Sequence, residues 1–303
     1  MRNTVILLIA TLVLVPMAAL FFDKPLTIDQ QVVLGQLLTA WALYTGLTFV
    51  ASTLTRNYSQ VDKLWSIMPI GYTWLVAMNG GFTPRLLLMA SLITMWGIRL
   101  TFNFARKGGY HWPPWKGDED YRWEVLRQNP MLARPWVWAL FNFAFISSYQ
   151  MGLVLLITLP MLLAIDPVNA TIGPIDLIAT GLLLIFLAIE TIADEQQWRF
   201  QKSKATNAEA RQKGFIDTGL WSLSRHPNYL GEQAIWAVFY LFSVAATGRW
   251  LNWTIAGPLL LMLLFQGSAN FSEGISAKKY PGYAEYVKRV PRFIPRIWGK
   301  SES

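Results

Sequence analysis

Stretches of about twenty apolar residues recur along this chain, and they decide what it can become. Eight are legible, at roughly 4–22, 33–55, 64–80, 86–105, 136–165, 172–198, 229–247 and 251–270. Wound as a helix rising about 1.5 Å per residue, such a run matches the ~30 Å hydrocarbon core of a bilayer. Only 15% of the 303 residues are charged, against about 25% in soluble domains. The expectation is an all-α polytopic membrane bundle of about seven or eight transmembrane helices, built as a single integral membrane domain. Its N-terminal spans occupy 1–60 and its core 61–303. The first run also follows the charged-then-apolar order of a signal peptide. It is long for one, and Phe21-Phe22-Asp23 lacks the small residues of a cleavage site, so it is read as a span.

Charge placement orients the spans. An even number puts both ends on one side, and lysine and arginine collect on the cytoplasmic side. With the N-terminus inside, the inner segments hold Arg2, Arg56 and Lys63, six cations from Arg106 to Arg134, six from Arg199 to Arg225 and seven from Lys278 to Lys300. The outer loops hold Lys24, Arg85 and Arg249. This asymmetry accounts for the net charge of +8 without a nucleic-acid partner. The 15 tryptophans suit interfacial belts in contact with membrane lipid. Both termini are expected in the cytoplasm, and any soluble cofactor is a cytosolic one.

Several chemistries are excluded outright. There is no cysteine, so thiolate metal sites and thiol nucleophiles are absent. His111 and His226 are the only histidines, too few for a multi-histidine metal centre, and no metal is expected. No internal repeat of the inverted-transporter kind is visible. Neither a Walker loop nor a glycine-rich dinucleotide turn after a strand occurs, so a nucleotide would have to lie among the helices. No obligate protein partner is evident.

Ionisable residues inside apolar runs are costly and point to function. Glu190, Asp194, Gln197 and Gln201 stand at i, i+4, i+7 and i+11, one face of a helix, with Lys202 just beyond. Trp96, Arg99, Asn103 and Arg106 share a face of the fourth run. Asp62 opens the third. Ser272-Glu273 ends the last run before a basic, aromatic tail, read as a cap folded back on the cytoplasmic face. The loop 108–123, rich in aromatic residues, proline and glycine, is read as ordered.

The densest stretch is Gly219-Leu220-Trp221-Ser222-Leu223-Ser224-Arg225-His226-Pro227-Asn228-Tyr229-Leu230-Gly231-Glu232. Pro227 suits the first turn of a helix, where its missing N–H costs nothing. That helix start, beside Arg225 and His226, suits an anion such as a pyrophosphate. Asn228 and Glu232 share a face just inside it.

This stretch resembles the C-terminal signature of the steroid 5-alpha-reductase family. Asp194 with Gln197 and Phe200 is similar to the helix that precedes it, and Tyr283-x-x-Tyr286 with Phe293-Ile294-Pro295 looks like the family's ending. Val61-Asp62-x-x-Trp65 and Gly97-x-Arg99-Leu100 extend the likeness more weakly toward the N-terminus. The resemblance implies NADPH-dependent reduction of the C4–C5 double bond of a 3-oxo-Δ4 steroid, or of a similar lipophilic enone. Asp62 takes the place of the acid that polarises the ketone, a glutamate in the animal enzymes. Their tyrosine partner corresponds to Trp96 here, and Tyr58 is a candidate substitute. The resemblance places Glu190, Asp194, Gln197, Asn228, Tyr229 and Glu232 around the cofactor, with Arg99, Lys202, Arg225 and His226 as partners for its phosphates, and makes 61–303 a reductase core with an NADPH-binding C-terminal half. A bacterial inner membrane, with the cofactor site facing the cytoplasm, is the expected location.

Two other classes stay open. The Arg-His-Pro-x-Tyr-x-Gly pattern is shared with membrane methyltransferases of the isoprenylcysteine type, which use S-adenosylmethionine. A transporter or lipid-binding protein would explain intramembrane charges, though not their clustering at 225–232.

Overall fold

The computed structural model describes residues 2–113, 115–165 and 171–295. Pro114 of the aromatic loop and the tail cations Arg296 and Lys300 lie outside the described residues. Those residues form helices and turns, with no strand among them. In chain order the helices are α1 (Arg2–Phe21), α2 (Ile28–Thr55), α3 (Gln60–Trp65), α4 (Met68–Asn79), α5 (Pro84–Ala105), α6 (Tyr121–Arg127), α7 (Pro135–Ala164), α8 (Pro174–Ser203), α9 (Ala208–Lys213), α10 (Pro227–Thr247), α11 (Trp253–Lys279) and α12 (Tyr283–Arg289). Six of them, α2, α5, α7, α8, α10 and α11, are long and apolar enough to cross a membrane. The chain is an all-helical polytopic membrane protein.

One of the eight apolar runs reads differently in the structure. The run 64–80 is broken after Trp65, and α4 restarts at Met68 with Pro69 in its first turn. Its 12 residues reach about 18 Å, well short of the ~30 Å hydrocarbon core. The run 4–22 is helical and coincides with α1, 20 residues long.

Local chemistry sets the helix ends. Prolines open α5, α7, α8 and α10, where a missing N–H is harmless. Thr27 and Gln30 form a reciprocal capping box at the start of α2. The chain resolves into two compact units, 1–179 with 239–260, and 180–238 with 261–303.

In the first unit α4 and α5 pack closely. A β-carbon at Gly97 would lie 2.6 Å from the Ser66 carbonyl oxygen, so glycine is what allows that approach. Arg85 at the start of α5 is buried and paired through two nitrogens with Asp176, each bond 2.9 Å. Asn142 of α7 bonds Ser52 of α2 at 3.0 Å. Asp23 accepts from Arg249 and from the Trp253 backbone N–H, pinning the α1–α2 loop to the α10–α11 loop.

In the second unit the C-terminal segment folds back, as the sequence suggests. Tyr283, Tyr286 and Val290 are buried together, with Phe215, Tyr280 and Val287 packed against them. The Tyr286 hydroxyl donates to the Trp221 carbonyl at 2.6 Å.

Candidate functional site

In the second unit, α8 and α10 run antiparallel and share a polar face. A β-carbon at Gly231 would sit 2.7 Å from Glu190 Cβ, so that crossing needs glycine. One turn away along each helix, Asn228 Nδ2 donates to Asp194 Oδ1 at 3.3 Å. Further on, Trp221 Nε1 donates to the Ala193 carbonyl at 3.1 Å, and the Leu220 N–H to Gln196 Oε1 at 3.0 Å. These contacts set the register that turns Glu190 and Asp194 toward α10. Glu190, Asp194 and Glu232 are all buried. Trp236 Nε1 donates to Glu232 Oε1 at 3.0 Å. The amide oxygens of Gln197 and Asn228 are buried and accept no hydrogen bond.

This face is rich in acceptors. Carboxylate and amide oxygens here call for N–H and O–H donors. A ribose and a carboxamide carry such groups; a phosphate does not.

Arg225 and His226 are held elsewhere in the same unit. Arg225 Nε donates to Glu273 Oε1 at 2.9 Å and Nη2 to Oε2 at 3.3 Å, while Nη1 donates to the Val287 and Val290 carbonyls. His226 Nε2 lies 2.9 Å from the same Glu273 Oε1. Arg292 Nη2 adds a third basic group on Oε2 at 2.8 Å. The backbone N–H groups of Arg225 and His226 donate to the Pro291 and Arg292 carbonyls. The open anion cradle expected beside Pro227 is therefore closed by the chain's own C-terminal segment. Tyr229 stacks on the His226 ring at 5.0 Å and meets Phe265 edge-on. Lys202 is exposed and lies over the Trp198 ring.

In the first unit Asp62 sits on α3, under the loop that follows α5. Described residues of that loop are hydrogen-bonded to α3 and its neighbours. Lys63 Nζ donates to the Lys116 carbonyl at 2.8 Å, Tyr110 OH to the Lys63 carbonyl at 2.7 Å and Gln60 Nε2 to the Trp115 carbonyl at 3.1 Å. Trp123 Nε1 donates to Asp62 Oδ2 at 3.2 Å. Burial pushes the Asp62 carboxyl above its ordinary range, and the Arg122 guanidinium pulls the other way without cancelling this. Burial also acts on Asp120, but Arg122 donates to both its oxygens and holds it below the usual range. The two acids are thus driven apart, Asp62 toward the protonated form and Asp120 toward the ionised one.

Tyr58 is buried, its ring edge-on to Trp138 at 4.9 Å and under the Arg127 guanidinium at 5.3 Å. Trp96 is fully buried on α5, and Arg99, one turn on, is half-buried.

A family model described as a protein of unknown function (DUF1295) matches residues 48–290. The chain belongs to that family. A relative from Schizosaccharomyces pombe (strain 972 / ATCC 24843), the uncharacterized protein C594.04c, is 38% identical over 266 residues, covering 82% of this chain and 75% of its own length. No solved structure matches. The stretch matched by the DUF1295 model takes in every candidate residue from Tyr58 to Glu232.

Sequence reasoning missed Glu273 as a hub and Gln196 and Trp123 as supports. Glu273 had a signal, since a carboxylate late in an apolar run needs a cation, but the motif's Arg225 was assigned to phosphate instead. Gln196 and Trp123 had none, because their partners lie 24 and 61 residues away in the chain.

Proposed function

We propose that this chain is an NADPH-dependent reductase of membrane-dissolved enones, with 3-oxo-Δ4 steroids as the model substrate. The observation that carries the reading is the face of α8 and α10, where Gln197 and Asn228 keep buried amide oxygens without donors beside Asp194. Leaving such a group unmet costs about 1–3 kcal/mol, and ribose hydroxyls or a carboxamide would meet it. NADPH supplies a hydride when bound. Asp194, Asn228 and Gln197 would orient its ribose and carboxamide, with Glu190 and Glu232 alongside. Lys202 is the accessible cation for phosphate, since Arg225 and His226 are occupied by Glu273.

Asp62 supplies the acid. A carboxyl whose hold on its proton is strengthened by burial can donate to a ketone oxygen and stabilise the negative charge that develops there as an enone is reduced. A proton then adds at C4, so the reduced product gains one hydride and one proton. The likeness of 219–232 to the steroid 5-alpha-reductase signature supports the same chemistry. The lysine and arginine distribution favours a cytosolic cofactor side, in a membrane such as the bacterial inner membrane.

A methyltransferase using S-adenosylmethionine has one observation in its favour: an acceptor-rich face also suits an ammonium group. The readings separate on purified protein in detergent. Progesterone-dependent loss of NADPH absorbance, abolished in Asp62→Ala and Glu232→Ala, supports the reductase. Thermal stabilisation by S-adenosylmethionine and not by NADPH overturns it.

A further inference from the structure

The first unit contains a second set of unmet polar atoms, remote in sequence from the candidate cofactor face. Trp41 Nε1, Thr45 Oγ1, Tyr72 OH and Tyr149 OH are each buried and make no hydrogen bond. They come from α2, α4 and α7, which pack on one another. Tyr72, Tyr149 and Thr45 are 1%, 0% and 5% exposed.

Two contacts show that the α2 and α7 members meet. Asn142 bonds Ser52, and a β-carbon at Gly152 would lie 3.4 Å from Trp41 Nε1. Residue 52 thus faces 142 and residue 41 faces 152, so the two helices are antiparallel. Thr45 then falls opposite Tyr149, one turn from the Trp41–Gly152 crossing. Tyr72 reaches the same neighbourhood from α4, which packs on both α2 and α7. Gly152 leaves room for Leu12 of α1 and, less tightly, for the indole.

The silence of these four atoms is unusual for their surroundings. Two turns away in the same α2–α7 interface, polar groups satisfy one another: Asn142 donates to both Ser52 and Thr53, at 3.0 and 3.2 Å. On α2 itself, Thr39, Thr48 and Thr55 each donate back to the carbonyl four residues earlier, and Thr45 does not. Tyr149 also closes a π-helical stretch, Asn142–Tyr149. Such widened turns are rare and gather at functional sites.

We infer that these residues form a buried binding site for the carbonyl end of a lipophilic molecule dissolved in the membrane. The indole can only donate, and the three hydroxyls can donate as well as accept. An acceptor oxygen is therefore the shared partner. No charged group belongs to the set, so an anionic head would be stranded there. A ketone, quinone or ester carbonyl on an apolar body satisfies both demands. The site requires no cofactor and stands apart from the reductase reading.

Benzophenone, a small apolar ketone that labels neighbouring C–H bonds on irradiation, tests this on the full-length protein in phosphatidylcholine nanodiscs. Mass spectrometry should find adducts concentrated in 41–48, 69–76 and 145–152. Labelling there should fall at least five-fold in Tyr72→Phe/Tyr149→Phe and in Thr45→Val, and stay unchanged in Glu232→Ala. Without probe, these variants should melt at the wild-type temperature or above it, because an unmet hydroxyl has been removed. Adducts spread over lipid-facing positions, or labelling that survives loss of the hydroxyls, would overturn the inference and leave trapped water as their partner. Should the double tyrosine variant not fold, Thr45→Val alone carries the same two outcomes.

Discussion

Arg225 and Glu273 are joined by two N–H···O bonds, 2.9 and 3.3 Å long, with both side chains about nine-tenths buried. The pair does more than neutralise two charges. Glu273 also receives His226 and Arg292, so one carboxylate ties the start of α10 to the C-terminal segment. Breaking a buried pair from one side costs about 3–5 kcal/mol. Glu273→Ala should lower the melting temperature in detergent more than any exposed carboxylate substitution. Arg225→Lys should recover little of the wild-type stability, since an ammonium cannot reproduce the fork. Thermal unfolding of the two variants checks both statements.

Gly231 tests the crossing of α8 and α10. Alanine there pushes against Glu190, 2.7 Å from the added carbon. Over-packing of this kind costs about 1–3 kcal/mol. On the proposed reading Gly231→Ala also weakens NADPH binding, because the same movement displaces the acidic face. A similar change at Gly35, which meets nothing within 4 Å, should leave NADPH binding unchanged.

Asp62 predicts a pH dependence with a definite sign. Its pKa is raised on folding. Its stability contribution relative to Asp62→Asn is therefore complete below the unfolded value of about 3.9. It is lost as pH rises through the higher folded value. Wild type should thus lose stability relative to Asp62→Asn on going from acid toward neutral pH. Melting temperatures of the two proteins across that range give the comparison, and a difference that does not vary with pH would refute it.

Arg85 and Asp176 form a buried pair in the first unit. Asp176 also accepts from the Gly173 N–H at 2.8 Å, and Arg85 donates to the Thr171 carbonyl at 2.7 Å. Arg85→Met should destabilise by about 3–5 kcal/mol, and Arg85→Met with Asp176→Leu by less, because the second change removes the stranded charge. A double-mutant cycle on melting measures the difference.

The helices were legible because their cause is local. Apolar runs and first-turn prolines mark α5, α7, α8 and α10 directly. The stripe Glu190, Asp194, Gln197 was legible for the same reason, since helical spacing alone puts those residues on one face. The run 64–80 misled because its hydropathy is continuous while Pro69 restarts the helix. The occupancy of Arg225 was hidden as well. Motif chemistry shows what a guanidinium can bind, but Glu273 lies 48 residues away and reaches it only through tertiary packing.

The central claim is that the face of α8 and α10 holds NADPH. Its most direct test is titration of the purified protein with NADPH, followed by the cofactor's own fluorescence, in wild type, Asp194→Ala and Asn228→Ala. The account predicts saturable binding in the wild type that weakens at least ten-fold in each variant, while both variants keep their helical circular dichroism. Wild-type protein that binds S-adenosylmethionine but not NADPH, or NADPH binding indifferent to both substitutions, would contradict it.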